Sequence, residues 1–146
     1  MKKVQLIFLI ILMSIALLGC EYVKYYQTDK FDLLNFNHGI SILGYREGYH
    51  SEDLVIHDEI TFFNAKTGKN QTVIISAIDT RAFQNMNLRS VVIIASDNSE
   101  FNTILSYAFA DNENLASVIL PQSIAQVNQY AFANNPKLES IDLHDL

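Results

Sequence analysis

The chain has 146 residues, with 10 Lys and Arg against 16 Asp and Glu and a formal charge of −6. An acidic chain without a basic cluster is poorly suited to nucleic acid, whose binding is driven by cations that neutralise phosphates. A single Cys rules out a disulfide within one molecule, so the fold must stand on its packed core.

Residues 1–20 are a different kind of sequence from the rest. Lys2 and Lys3 give a positive start, Val4 to Leu18 is almost wholly apolar, and Leu17-Leu18-Gly19-Cys20 closes the run. This order matches an export signal, residues 1–19, to be excluded from the fold. An apolar stretch of 15 residues is short for a membrane span, although a single anchor or a plain signal with an incidental Cys are the other readings. The closing residues resemble a bacterial lipobox. That resemblance implies diacylglycerol on Cys20 and a protein held on a membrane by its acyl chains. Removal of residues 1–19 leaves 127, one domain's length, and loss of Lys2 and Lys3 takes the charge from −6 to −8.

Residues 20–36 are polar and aromatic, with Tyr22, Tyr25 and Tyr26, and read as a tether from lipid to domain. The tyrosines suit the headgroup level of a bilayer; they equally suit a strand packed on the cap of the domain. That cap is predicted over residues 37–75 and β-rich, because the terminal unit of a stacked array needs closing. Thr67-Gly68-Lys69-Asn70 reads as a turn between two of its strands.

From residue 75 onward the chain repeats itself. Tyr107-Ala108-Phe109 returns as Tyr130-Ala131-Phe132, 23 residues later. Leu115, Val118 and Leu120 follow the first phrase at the spacings with which Leu138, Ile141 and Leu143 follow the second. A looser copy precedes them: Ala82, Phe83, Leu88, Val91 and Ile93. A fixed period of this length marks a solenoid of stacked coils. Val91-Val92-Ile93, Val118-Ile119-Leu120 and Ile141-Asp142-Leu143 read as strands whose first and third residues point inward. Asn85, Asn112 and Asn135 fall in the turns, where Asn tolerates left-handed backbone and bonds local amides.

The pattern Ala-Phe, then Leu, Val and Leu-Pro at fixed steps, resembles the leucine-rich repeats of BspA-like bacterial surface proteins. Gly39 to Tyr45, Leu54-Val55-Ile56 and Val73 to Phe83 resemble the lead-in those proteins often carry, so the likeness runs over roughly residues 37–146. It implies a mainly β fold: a short leucine-rich-repeat solenoid, about three repeats of ~23–27 residues over 75–146, behind an N-terminal β-rich cap. It also implies a place on the bacterial cell envelope (outer membrane or cell surface in a Gram-negative cell) and host, matrix or envelope proteins as partners.

Motifs for chemistry are sparse. The sequence has neither a phosphate-cradling Gly loop nor a Gly-x-Ser-x-Gly elbow, and no paired Cys for zinc, so neither catalysis, cofactor, metal nor small-molecule substrate is expected. The densest polar cluster, His50, Glu52, Asp53, His57, Asp58 and Glu59, reads as a solvated connecting loop, with a metal site as the rival. Tyr107 and Tyr130 read as a structural ladder. What remains is surface. Val92 and Ile119 face outward side by side, with Arg89, Glu139 and Asp142 as a polar rim, a candidate contact for a protein partner. The alternative function is a structural or assembly lipoprotein that self-associates through an open C-terminal solenoid edge, unless His144-Asp145-Leu146 folds over it.

Overall fold

The computed structural model describes residues 23–36 and 39–143; Cys20, the export signal expected over residues 1–19 and His144-Asp145-Leu146 lie outside them. The first three strands form an antiparallel meander: β1 (Val23–Gln27), β2 (Phe31–Phe36) and β3 (Ile40–Tyr45). Thr28 makes the first turn, its buried hydroxyl accepting from the amides of Lys30 and Phe31 at 3.2 and 2.8 Å. Residues 23–36 are therefore not a tether. Phe31 and Leu33 alternate into the core at 5% and 0% exposure, and burial of that size outweighs the entropy of keeping the segment loose. The other reading, strand packed on cap, is the one the structure takes.

After a loop the chain lays down β4 (Asp53–His57), then β5 (Glu59–Asn64), which forms a hairpin with the first half of β6 (Lys69–Ile78). The second half of β6 instead lies parallel to β3, so this strand belongs to both hairpin and main sheet. From here the chain coils. β7 (Ser90–Ile94), β9 (Ser117–Leu120) and β11 (Asp142–Leu143) stack in parallel beside β4, in the order β11-β9-β7-β4. On the other side β8 (Thr103–Ile104) and β10 (Gln126–Val127) extend the order β1-β2-β3-β6-β8-β10. The mainly β solenoid behind a β-rich cap is borne out.

Alternation explains which side chains go in. In β4 the exposed Asp53, Val55 and His57 alternate with the buried Leu54 and Ile56. In β7 Val91 and Ile93 are buried, as are Val118 and Leu120 in β9. Phe83, Phe109 and Phe132 stack along the axis, with centroids 5.5 and 5.2 Å apart and planes within 11°. Tyr45 and Phe31 close the top of this column edge-on, at 5.0 and 6.2 Å from Phe83. The close approach needs Gly44: its φ is +144°, and a Cβ there would sit 2.6 Å from the Ala82 carbonyl oxygen.

The turn residues, Asn with one Asp, separate into two roles one position apart. Asn85, Asp111 and Asn134 hold left-handed backbone at φ 55°, 60° and 57°. Asn112 and Asn135 come one residue later and are buried. The Asn112 carboxamide donates to the carbonyls of Phe83, Phe109 and Ala110 and accepts from the amides of Met86 and Leu88. Asn135 repeats this one coil on, donating to Phe109 and Phe132 and accepting from the Asn112 amide. The expectation that Asn85 matches Asn112 and Asn135 is thus off by one position. The first coil is one residue shorter before Leu88, and its ladder slot falls to Met86.

Candidate interaction surface

The parallel sheet of β4, β7, β9 and β11 has one side in the core and one in solvent. Register places Val55, Val92, Ile119 and Asp142 in a single row across the solvent side. Val55 is 46% exposed and Val92 and Ile119 are half-buried, so three aliphatic groups lie side by side. Neighbouring strands are about 4.8 Å apart, which makes the row continuous. Asp142, exposed, continues the row with a charge.

Beside this row runs a polar one, Asp53, Ser90 and Ser117. Arg89 reaches across it to Asp53, its Nε donating to Oδ1 at 3.2 Å while its Nη2 pairs with Oδ2. Ser90 Oγ adds a bond to Oδ1 at 2.8 Å. The hydrogen bonds from Arg89, then Ser90, hold the Asp53 carboxyl below its ordinary pKa. Both partners are solvent-exposed, so the pair shapes the rim and contributes little to stability. Glu139 is exposed just ahead of β11.

Val92, Ile119 and Asp142 share this row, and Arg89, just ahead of β7, reaches the same side through its pair with Asp53. Val55 was missed, although Leu54-Val55-Ile56 repeats the pattern of Val91-Val92-Ile93 and the same alternation would have found it. Ile141 and Leu143, expected to point inward, are 37% and 59% exposed; among the described residues no further coil packs on them.

The polar cluster at 50–59 disperses. His50 sets its ring against Tyr45 at 5.8 Å. Glu52, His57 and Glu59 are exposed. Asp58 departs from the solvated-loop expectation: it is 1% exposed and accepts from the amide and hydroxyl of Ser96 at 2.9 and 3.1 Å. It ties down the irregular loop between β7 and β8. Among the described residues no three His, Cys, Asp or Glu gather at metal-binding distance.

Away from the sheets, each coil turns through a second left-handed position, Arg81, Tyr107 and Tyr130. The two tyrosine rings stack at 5.2 Å, and the Arg81 guanidinium lies 5.5 Å from the Tyr107 centroid. This is a structural ladder along the stack.

Known proteins place this geometry. The family model described as the BspA type leucine rich repeat region (6 copies) matches residues 56–146, beginning in β4. The structure resembles that of a leucine-rich repeat protein from Bacteroides capillosus, with a TM-score of 0.52 and 17% identity over 82% of this chain and 97% of that one. A leucine-rich repeat protein from Bacteroides ovatus is 15% identical over 86% of this chain and 40% of that one, at a TM-score of 0.30. No curated protein matches the sequence. At 17% identity the first of these likenesses speaks to fold alone, but the family match spans more than half of the residues. The chain belongs to the BspA-type leucine-rich-repeat family.

Proposed function

We propose that the chain is a lipid-anchored protein of the bacterial cell envelope that presents its repeat domain for binding another protein. The observation that carries the binding half is the row Val55, Val92 and Ile119, with Arg89 paired to Asp53 beside it and Asp142 at its end. An apolar strip inside a polar rim is what a protein contact requires. The anchoring half rests on the sequence around Cys20. Two acyl chains hold a protein on a bilayer where one holds it only marginally.

Val92→Lys with Ile119→Lys tests the face. Both side chains point away from the core, so the variant is expected to fold with an unchanged melting temperature and to lose the partner recovered by cross-linking in intact cells. Unchanged recovery would falsify this face as the binding site. For the anchor, the intact mass of the wild type is expected to carry diacylglycerol, and Cys20→Ala is expected to release the protein from the membrane fraction. Retention of that variant on membranes sinks the anchor.

A second reading has its own observation. Val127, Tyr130 and Leu143 on the last described coil are 48%, 52% and 59% exposed, and such an edge can pair with another copy. Sedimentation across a concentration series separates the readings: concentration-dependent dimerisation that Leu143→Asp abolishes supports self-association.

A further inference from the structure

The β5–β6 hairpin takes no part in that face. Its inner side is core, with Phe62 and Val73 buried and the Tyr26 ring of β1 lying 5.6 Å from that of Phe62. Its outer side carries Phe63, which at 64% is the most exposed large apolar side chain among the described residues. Phe63 faces Asn70 across the ladder. The turn beyond it holds Lys66, and Lys69 opens β6 on the far side of the turn, both exposed. In an acidic chain these two are the only charged residues between Ile60 and Ile78. Among the described residues neither ammonium makes an ion pair.

An exposed ring next to two unpaired ammonium groups fits a bilayer interface. The ring settles between headgroups and acyl chains, and the cations meet anionic lipid. Connectivity brings that surface close. Tyr26, which touches the hairpin, is six residues from Cys20, and an extended chain of that length spans no more than about 20 Å. We propose that Phe63, Lys66 and Lys69 rest on an anionic bilayer beside the lipid anchor and orient the solenoid relative to it. The proposal builds on lipid attachment at Cys20. Its contact sets the orientation; the acyl chains provide the attachment. A protein partner is the competing occupant, and the two lysines with the short reach to the anchor favour lipid.

The sequence has no Trp, so Phe63→Trp and Tyr130→Trp each install one reporter, on the hairpin and on the last coil. The lipidated full chain is reconstituted in phosphatidylcholine–phosphatidylglycerol vesicles, with and without brominated acyl chains. The expected result is blue-shifted, bromine-quenched emission from position 63 and water-like, unquenched emission from position 130. Adding Lys66→Glu and Lys69→Glu is expected to abolish the quenching at 63. Unquenched emission from position 63 in protein whose mass shows diacylglycerol overturns the hairpin contact and leaves the anchor standing. If Phe63→Ser then also loses the cross-linked partner, the site belongs to a protein. Equal quenching at both positions overturns the orientation. A mass without diacylglycerol on Cys20 removes the anchor, and this proposal with it.

Discussion

The first coil is closed and the last described coil is open, although both carry the same Ala-Phe phrase. Phe83 is fully buried under Tyr45 and Phe31 on one side and Phe109 on the other, while Phe132 is only half-buried against Phe109. The same contrast separates Leu88 at 0% from the half-buried Leu138. A repeat residue acquires its core environment from the neighbouring coil, not from its own. Identical sequence slots therefore carry unequal energies, and position in the stack decides which.

The largest effect expected from this contrast is at Phe109, sandwiched between two rings. Phe109→Ala is expected to cost about 3–5 kcal/mol, and Phe132→Ala about 1–2 kcal/mol because its site is already half open. Chemical unfolding measures both, and equal losses would break the comparison. Asn112→Ala comes next. It strands the amides of Met86 and Leu88 in the interior, at about 3 kcal/mol, against about 1 kcal/mol for Asn135→Ala. Gly44→Ala probes the closed end alone, since its methyl would meet the Ala82 carbonyl. A loss of about 2 kcal/mol is expected there, read as a lower melting temperature.

The smallest effects are in pH dependence, with opposite signs at two carboxyls. Burial raises the pKa of Asp79, at the junction of cap and first coil, above its ordinary 3.8, against the amide bond from Thr80. The native state therefore holds its proton more tightly, and stability falls as pH rises from 3.8 through the raised value. Asp79→Asn is expected to raise the melting temperature at neutral pH and to match the wild type in acid. Asp111, half-buried on the coils, is held low by Gln84 and then Asn134. Its contribution is present above 3.8 and lost as pH falls through the lowered value, so Asp111→Asn lowers the neutral melting temperature slightly and converges in acid. Thermal melts at about pH 7 and about pH 3 check both signs.

The repeat was legible because its chemistry is periodic. Phe83, Phe109 and Phe132 occupy one slot, and period two in each strand told Val91 from Val92. What escaped depended on distant partners. Phe31 and Leu33 are buried because β2 lies between β1 and β3, and nothing in a polar, tyrosine-rich stretch announces that pairing. Asp58 looks like every other acid near it until Ser96, 38 residues on, comes back to cap it. The two Asn roles differ by one position, a distinction only the neighbouring coil's amides make. Val55 needed no partner to be found, only the alternation already used for Val92.

Asn112 completes the coil before it, and Asn135 does the same for Asn112 in turn. Dependence therefore runs backwards along the chain: each turn leans on its successor for polar partners it cannot make itself. Melting should be a single event, with no turn peeling away alone, and deletions from the C-terminal side should damage more than the surface they remove.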